Sequence, residues 1–381
     1  SEVRRVAICT GAGGSLIDEA LSSEANIYMT AFNPFIPCDS ENSSIPAAFF
    51  EVEVENITQE NIIYQIALSV ANPYKKSKNK ASVSNGFKTL TLFNAGVDKN
   101  DIEYGDLTFA TDCETAYTQS YWYRGRWQDG LVSFWNEFSS EINIKERIYD
   151  TDGRHDMGTI IAEITVSPNE KKKVKFILSW NTPNNYNYWD ECRNDDQTHQ
   201  SWKNYYATVF EDSAHTAVYA LQNWDDLYNR TLAFKRALHE STLPMEVIDA
   251  ASSNLSVLKS PTVLRLEDGS FYGWEGVAEV IVLCEGTCQH VWNYAYAMCF
   301  LFPDLERSIR DIEFKYSTDE NGRMAFRTRL PLGRKMNDFR ACVDGQMGAV
   351  PPEQPGEDRG RGPGRVQDHR IRPGHPGLCG R

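Results

Sequence analysis

The feature that most constrains the fold is a change in the spacing of apolar residues near residue 203. Before this point, short apolar runs are rich in β-branched and aromatic residues, and clusters of Asn, Gly, Pro and Asp separate them. After it, apolar residues recur with a period near 3.6. Strands repeat every two residues and helices every 3.6. The sequence therefore predicts an antiparallel β-domain followed by an α-helical domain.

The β-rich part, residues 31–202, has the pattern of a β-sandwich. Its predicted strands are 47–56, 62–72, 87–96, 158–166 and 172–180. Several short strands over this length, divided by turn residues, favour two packed antiparallel sheets. The polar stretch 74–86, rich in Lys, Ser and Asn, is interpreted as a solvated hairpin loop.

Residues 203–348 are predicted to form part of a helical domain, such as a bundle or an α/α toroid. The first predicted helix, 214–240, has one apolar face. That face consists of Ala217, Leu221, Trp224, Tyr228 and Leu232. A second helix is predicted to begin at Pro244, a third to run from Cys288 to Phe302, and a fourth to follow Pro303. Proline suits a first helical turn because the N–H it lacks would have no partner there.

Residues 1–30 differ from the rest and predict a strand, a glycine turn and a helix. The strand is 3–9, the turn 11–14, and the helix 15–23 with Ser15 as N-cap. Neither the dinucleotide fingerprint nor the P-loop is satisfied. The segment resembles part of the GTP cyclohydrolase type 2-like family, but it contains none of that family's metal-binding His and Glu residues. We interpret it as a foreign fragment without a function of its own.

The last segment, residues 349–381, contains six of the 16 prolines and few apolar residues. Such a composition cannot bury enough surface to offset chain entropy, so we predict disorder. Its arginines could bind anions, but the abrupt change in composition favours a product of translation in a shifted frame.

Composition excludes several classes of function. The net charge of −14 argues against a nucleic-acid partner. No apolar run reaches the roughly 18 residues of a membrane span, and no signal peptide precedes the domains, which predicts a cytoplasmic protein. The nine cysteines are scattered, as in a reducing compartment. Cys284 and Cys288 lack a second pair at zinc spacing, so no metal or cofactor is predicted.

A candidate catalytic residue, Glu285, lies between an apolar run and a predicted helix. His290, Trp292 and Asn293 follow closely, and such side chains bind sugar hydroxyls and sugar rings. Glycosidases use one carboxylate as nucleophile and another as acid/base. Glu285 could equally cap the helix that follows it. The residues by themselves leave both readings open.

Several long motifs resemble glycoside hydrolase family 116, the family of β-glucosidases and bile-acid, or non-lysosomal, glucosylceramidases. They cover 30–56 and 179–191 in the β-part, then SNLSVLKSPTVLRLEDGSFYGWEG (253–276), EGTCQHVWNYAYA (285–297), FPDLERS (302–308) and 330–348. The resemblance implies an N-terminal antiparallel β-sandwich followed by the first helices of an incomplete α/α toroid. It also implies a β-glucoside, small or part of a glycoconjugate, as substrate.

The resemblance further implies a retaining mechanism in which Glu285 is the nucleophile. His290 and Asn293 would contact hydroxyl groups, and Trp292 would stack on the sugar unless it packs between helices. The remaining candidate substrate-binding residues are Asp344, Gln346, Arg334 and Trp180. In some relatives a histidine follows the proline near 331, where this chain has Leu332, so that sugar contact is not carried over.

The family's acid/base is an aspartate whose motif would lie beyond residue 381, and this departure affects the expected activity. We therefore expect impaired hydrolysis, because general acid catalysis typically contributes on the order of 100- to 10,000-fold. The alternative is a non-catalytic carbohydrate-binding or structural β-sandwich protein.

Overall fold

The computed structural model describes residues 3–9, 25–125, 129–140, 144–188, 192–274, 276–278, 281–283 and 295–334. Six of the predicted site residues lie outside these ranges, and the other two lie inside them. The six are Glu285, His290, Trp292, Asn293, Asp344 and Gln346. The predicted helix 15–23 and the predicted disordered tail, 349–381, also lie outside the described residues.

The described strands occupy mainly the first half of the chain and the helices mainly the second. The strands are β1 Val3–Cys9, β2 Ala25–Phe32, β3 Ala47–Asn56, β4 Ile62–Ala71, β5 Ser77–Ser84, β6 Phe87–Asn94, β7 Asp106–Thr111, β8 Tyr117–Gln119, β9 Met157–Val166, β10 Lys171–Asn181, β11 Asn184–Tyr186, β12 Ser201–Lys203, β13 Val263–Arg265, β14 Phe271–Gly273, β15 Gly276–Ala278 and β16 Ile281–Leu283. The α-helices are α1 Gly130–Ser139, α2 Tyr206–Val209, α3 Ser213–Gln222, α4 Trp224–His239, α5 Met245–Leu255, α6 Ala295–Leu301 and α7 Pro303–Tyr316.

Two sheets pack face to face in the N-terminal part. The larger is antiparallel throughout, in the order β2-β3-β10-β7-β6-β5. The smaller has the order β1-β4-β9-β8, and only its β1–β4 pair is parallel. Side chains of β3, β6, β7 and β10 meet those of β4 and β9 in one apolar core. The predicted β-sandwich followed by helices is therefore confirmed.

The alternation along β3 shows how the sequence builds three layers. Val52 and Val54 point into the core between the sheets. Ala47 and Phe49, on the opposite face, are fully buried against α3 and α4. Phe49 lies 5.2 Å from Trp224 of α4, measured between ring centroids. The larger sheet is thus covered on both faces, by the smaller sheet on one side and by helices on the other.

The face of β3 that packs on the helices through Ala47 and Phe49 carries charged residues farther along the strand. Glu51 and Glu53 alternate with the buried valines and lie opposite Lys175 and Lys173 of β10. The Lys173 ammonium lies 2.7 Å from Glu51 and 3.6 Å from Glu53. Such exposed pairs contribute little stability each. Instead, these pairs favour the observed register of β3 with β10, because a shift of one residue between the strands would bury the charges.

The predicted strands agree closely with β3, β4, β6, β9 and β10. The hairpin-loop prediction for residues 74–86 is wrong, because Ser77–Ser84 forms β5 and pairs with β6 at the edge of the larger sheet. Lys80, Ala81, Ser82 and Val83 of this strand are exposed. Edge strands often carry charged and polar residues, since these discourage pairing with other chains. The sequence analysis missed β5 because its residues are mostly polar.

The single helix predicted over 214–240 is also wrong in detail, because Asn223 divides it into α3 and α4. The Asn223 side-chain amide donates a hydrogen bond to the Tyr219 carbonyl at 2.9 Å and so caps the end of α3. Asp225 and Asp226 then occupy the first turn of α4, where carboxylates favour a new helix start. The predicted apolar face continues across the break, since both Leu221 and Trp224 belong to the apolar cluster between the larger sheet and the helices.

Four other predicted elements correspond, wholly or in part, to described elements. The predicted strand 3–9 is β1, which pairs in parallel with β4 and so belongs to the smaller sheet. Pro244 immediately precedes α5, and Pro303 opens α7. Of the helix predicted over 288–302, the described part is α6. None of the helices in the described ranges is long and apolar enough to cross a membrane. The predicted domain boundaries remain predictions.

Helix α7 carries a buried charge cluster behind its apolar face. The Arg310 guanidinium lies 2.8 Å from carboxylate oxygens of both Glu306 and Glu313. Burial raises the pKa of Glu313 to about 7, although Arg310 acts in the opposite direction. One guanidinium therefore balances two carboxyl groups, and protonation of one of them is favoured below neutral pH.

Phe49→Ala tests the layered arrangement. We expect a loss of about 3–5 kcal/mol in the free energy of unfolding, because the substitution leaves a cavity between the sheet and α4. Urea unfolding followed by tryptophan fluorescence measures it. The matched control is Phe314→Ala on α7, whose side chain is 59% exposed; it should change stability by less than about 0.5 kcal/mol. Equal effects of the two substitutions would contradict the assignment of Phe49 to the core.

Candidate functional site

The candidate site is a groove of about 600 Å³ beside one end of the larger sheet. Four parts of the chain form its walls: the connection 33–46, the ends of β3 and β10, residues 185–188 with 204–206, and the segment 258–274. The groove therefore lies where the sandwich meets the chain that leads into the helices. Pockets in this size range accommodate small-molecule ligands.

Six aromatic side chains line the groove. They are Trp180, Tyr188, Tyr205, Tyr206, Phe271 and Trp274. Trp180 lies near the end of β10, and its backbone N–H donates to the Pro46 carbonyl at 3.0 Å. This bond ties the strand end to the start of β3. Trp180, Tyr188, Tyr205 and Tyr206 are at least partly accessible, and such flat rings with polar neighbours are suited to the apolar faces of sugar rings.

Amide and hydroxyl groups fix the wall beside the rings. The Tyr206 hydroxyl donates to the Thr182 carbonyl at 2.8 Å, and the Asn204 amide donates to the same carbonyl at 2.8 Å. Burial raises the pKa of Tyr206, so its phenol stays protonated and able to donate. On the opposite side, the Asn33 amide donates to the Ala47 carbonyl at 2.7 Å. These bonds hold the wall rigid.

Lys259 brings a positive charge to the groove. Its side chain is exposed through the opening, whereas Nζ donates to the Pro34 carbonyl at 2.8 Å and to the Ser43 carbonyl. The protein on its other sides removes water from the ammonium and lowers its pKa to about 7. Water entering through the opening favours the charged form and limits this shift. Among the described residues, no carboxylate lies within 4.0 Å of Nζ.

Arg265 brings a second positive charge. Its guanidinium carbon lies 3.5 Å from the centroid of the Tyr205 ring. Nη1 donates to the Ser40 carbonyl and to Ser44 Oγ, each at 3.3 Å, and Nε donates to the Gly269 carbonyl at 3.3 Å. Burial lowers the pKa of Arg265, although an arginine keeps its charge at neutral pH. Both cations are therefore held mainly by backbone carbonyls.

The structure places the two described candidates differently. Trp180 lines the groove. Arg334 belongs to a turn in which its N–H donates to the Pro331 carbonyl at 3.2 Å, and it is not among the groove-lining residues. The other six candidates lie outside the described residues, and their roles remain predictions.

The sequence analysis missed the tyrosines at 188, 205 and 206, Trp274, and both cations. Most of them stand within or next to the quoted family motifs, 179–191 and 253–276, so the signal was present. Tyrosine, lysine and arginine are too common on surfaces for a motif to indicate which of them face a groove. Within the described ranges, no group of three His, Cys, Asp or Glu residues could hold a metal ion.

These features define a class of protein: a β-sandwich followed by helices, with an aromatic groove at their junction. The family model described as "beta-glucosidase 2, glycosyl-hydrolase family 116 N-term" matches residues 19–227. The chain belongs to glycoside hydrolase family 116. The match covers β2 to β12, helices α1 to α3, and the first residues of α4.

Other comparisons add little. No curated protein shows significant similarity to the chain. One similar solved structure is described as "Putative kojibiose phosphorylase from human microbiome". The match has 12% identity and a TM-score of 0.27, and it covers 56% of this chain and 21% of that one. This likeness is too weak to define the fold.

The lowered pKa of Lys259 predicts a specific pH dependence of stability. The ordinary lysine pKa is about 10.4, so above about 7 the unfolded chain binds more protons than the folded chain. The free energy of unfolding of the wild type should therefore rise, relative to Lys259→Met, between about pH 7 and pH 10. Equilibrium urea unfolding of both proteins across this range measures the difference.

A matched control for Lys259→Met is Lys172→Met, which removes a lysine of β10 whose side chain is 43% exposed. The difference between the wild type and this control should stay nearly constant with pH. A wild-type advantage over Lys259→Met that falls with rising pH would contradict the inferred desolvation of Lys259.

Proposed function

We propose that the chain is part of a retaining glycoside hydrolase that acts on β-glucosides, with Glu285 as the nucleophile. Membership of family 116 supports the reaction class, and the aromatic groove supports a carbohydrate substrate. In this mechanism, Glu285 attacks the anomeric carbon and forms a glycosyl-enzyme intermediate, which water then hydrolyses with the help of an acid/base group.

The path of the chain beside the groove is the observation that carries this proposal. Trp274 lines the groove, and strand β15 begins two residues later, followed by β16. These strands pair antiparallel, with Gly276 opposite Leu283. The hairpin thus returns the chain to its starting point two residues before Glu285. Each two-residue step spans at most about 7 Å and paired strands lie about 5 Å apart, so the path of the chain supports a position for Glu285 within about 20 Å of Trp274.

The remaining roles follow the family resemblance. His290 and Asn293 are proposed to bind sugar hydroxyls, and Trp292 to stack on the ring. Asp344 and Gln346 are proposed to reach the same cavity. Trp180 is the proposed stacking residue on the sandwich side, and its position on the groove wall supports this role.

The substrate and setting are proposals as well. A β-glucoside, either a small molecule or a glycoconjugate, agrees with both the family and the aromatic lining. The scattered cysteines support a cytoplasmic location. In the described part of the chain, Cys38, Cys113, Cys192 and Cys299 are free thiols, as that location requires.

Labelling with an activated 2-deoxy-2-fluoro-glucoside tests the nucleophile. A good leaving group needs little acid assistance, so Glu285 should form a stable adduct even when general acid catalysis is weak. Intact-protein mass measures the adduct, and peptide mapping locates it. Glu285→Gln should abolish labelling. Glu267→Gln, which changes an exposed carboxylate of the same segment, should leave labelling unchanged.

The absence of an adduct from a folded, monodisperse protein would instead favour a non-catalytic carbohydrate-binding protein. An adduct on another carboxylate would retain the reaction class but overturn the assignment of Glu285.

Trp180→Ala tests the sugar-binding role of the groove. Stacking on an aromatic face contributes on the order of 1 kcal/mol, so the Kd of a glucose-configured inhibitor should rise roughly 3- to 10-fold. Calorimetry measures this, and Trp180→Phe should restore most of the affinity. The matched control is Trp135→Ala, which removes a similarly half-buried tryptophan from α1. Unchanged affinity in Trp180→Ala would exclude stacking on Trp180.

A further inference from the structure

A second, smaller cavity of about 50 Å³ adjoins the groove. Lys259 and Arg265 line both spaces, and so do Ser43 and Ser44. The far wall of the small cavity is apolar, formed by side chains that include Met298, Phe302 and Leu305. Two cations thus face one confined space, and apolar groups close it on the other side.

The polar contacts of the two cations leave donors available. Lys259 Nζ uses two of its three N–H bonds on the Pro34 and Ser43 carbonyls. Arg265 donates from Nε and Nη1 at 3.3 Å, and no described residue accepts a hydrogen bond from Nη2. One ammonium donor and the Nη2 donors therefore remain for a ligand.

No carboxylate neutralises this pair within the described residues. The two acids whose charges act on Arg265 form hydrogen bonds elsewhere: Asp304 accepts from Ser40 Oγ, and Glu41 accepts from the Tyr205 hydroxyl at 3.1 Å. Neither lies within 4.0 Å of the Arg265 guanidinium. They weaken the positive field without forming an ion pair.

Partly desolvated charges without a counterion are costly, and proteins usually pair them. A group with several acceptor oxygens would satisfy both cations, since charge-assisted bonds to guanidinium and ammonium are the strongest polar contacts available. Roughly 10–15 Å³ of such space holds one water, so a cavity of about 50 Å³ has room for a larger group.

We propose that Lys259 and Arg265 form an oxyanion-binding subsite that accepts a phosphate- or sulfate-sized group beside the sugar groove. The anion takes the third N–H of Lys259 and the Nη2 donors of Arg265. It either binds as a free ion or belongs to a ligand whose remainder lies in the groove. This subsite does not depend on Glu285 catalysis, so the failure of either proposal leaves the other intact.

The test uses inorganic phosphate as the probe, at constant ionic strength set with sodium chloride. Calorimetry should give saturable binding with Kd on the order of 1 mM. Lys259→Gln and Arg265→Gln should each weaken binding about tenfold or more, as expected when one charge-assisted bond is lost. Lys172→Gln, which changes a partly exposed lysine of β10 far from this cavity's lining, should bind like the wild type. Equal phosphate affinity in all four proteins would overturn the proposal.

Chemical protection of Lys259 in the wild-type protein tests the same subsite without any substitution, and so does not depend on the folding of a variant. Phosphate should slow acetylation of Lys259 by acetic anhydride at least threefold, while Lys172 reacts at an unchanged rate; peptide mass mapping reports both. Unprotected Lys259 at saturating phosphate would overturn the proposal.

Comparison of phosphate with glucose 6-phosphate identifies the source of the anion. Tighter binding of the sugar phosphate supports an anionic group carried by the groove ligand. Equal binding supports a free ion at the same subsite. Absence of binding by both rejects it.

Discussion

Burial of both faces of the six-stranded sheet is the constraint on which the rest of the structure depends. Strand β3 must meet the smaller sheet with Val52 and Val54 and the helices with Phe49. That requirement fixes the register of β3 with β10, and hence the positions at which both strands end. The contact between Phe49 and Trp224 then anchors α4 on the sheet. The groove lies beside this anchored end.

The groove depends on polar ties between chain segments that are far apart in sequence. Lys259 bonds to the carbonyls of Pro34 and Ser43, and Arg265 bonds to Ser40 and Ser44. The same two cations therefore hold the connection 33–46 against the segment 256–265 and face the adjoining cavity. A charge that tethers a wall through neutral carbonyls keeps its electrostatic attraction for a ligand, because its partners do not cancel it. Lys259 and Arg265 can therefore both support the groove wall and attract a ligand.

Much of the fold was predictable because local pattern and tertiary environment agree. The alternation in 47–56, the prolines at 244 and 303, and the turn residues between strands all predicted elements that are present. The predictions failed where the two disagree. Strand β5 is polar because it lies at a sheet edge. The predicted helix 214–240 divides because the Asn223 side chain bonds to the Tyr219 carbonyl and ends α3 there. The spacing of apolar residues continues unchanged across this cap, so it gave no sign of the break.

By itself, the sequence determined the order of a β-domain and a helical domain, the family, and the choice of Trp180 as a ring near the site. These follow from periodicity and from contiguous motifs, which are properties of neighbouring residues. Only the tertiary structure decided that Trp180, Tyr205 and Trp274 share one groove, and that Lys259 and Arg265 face one cavity without a carboxylate partner in the described chain. The physical reason is that burial and charge compensation depend on distances between segments over 200 residues apart, such as Pro34 and Lys259. No local pattern encodes those distances.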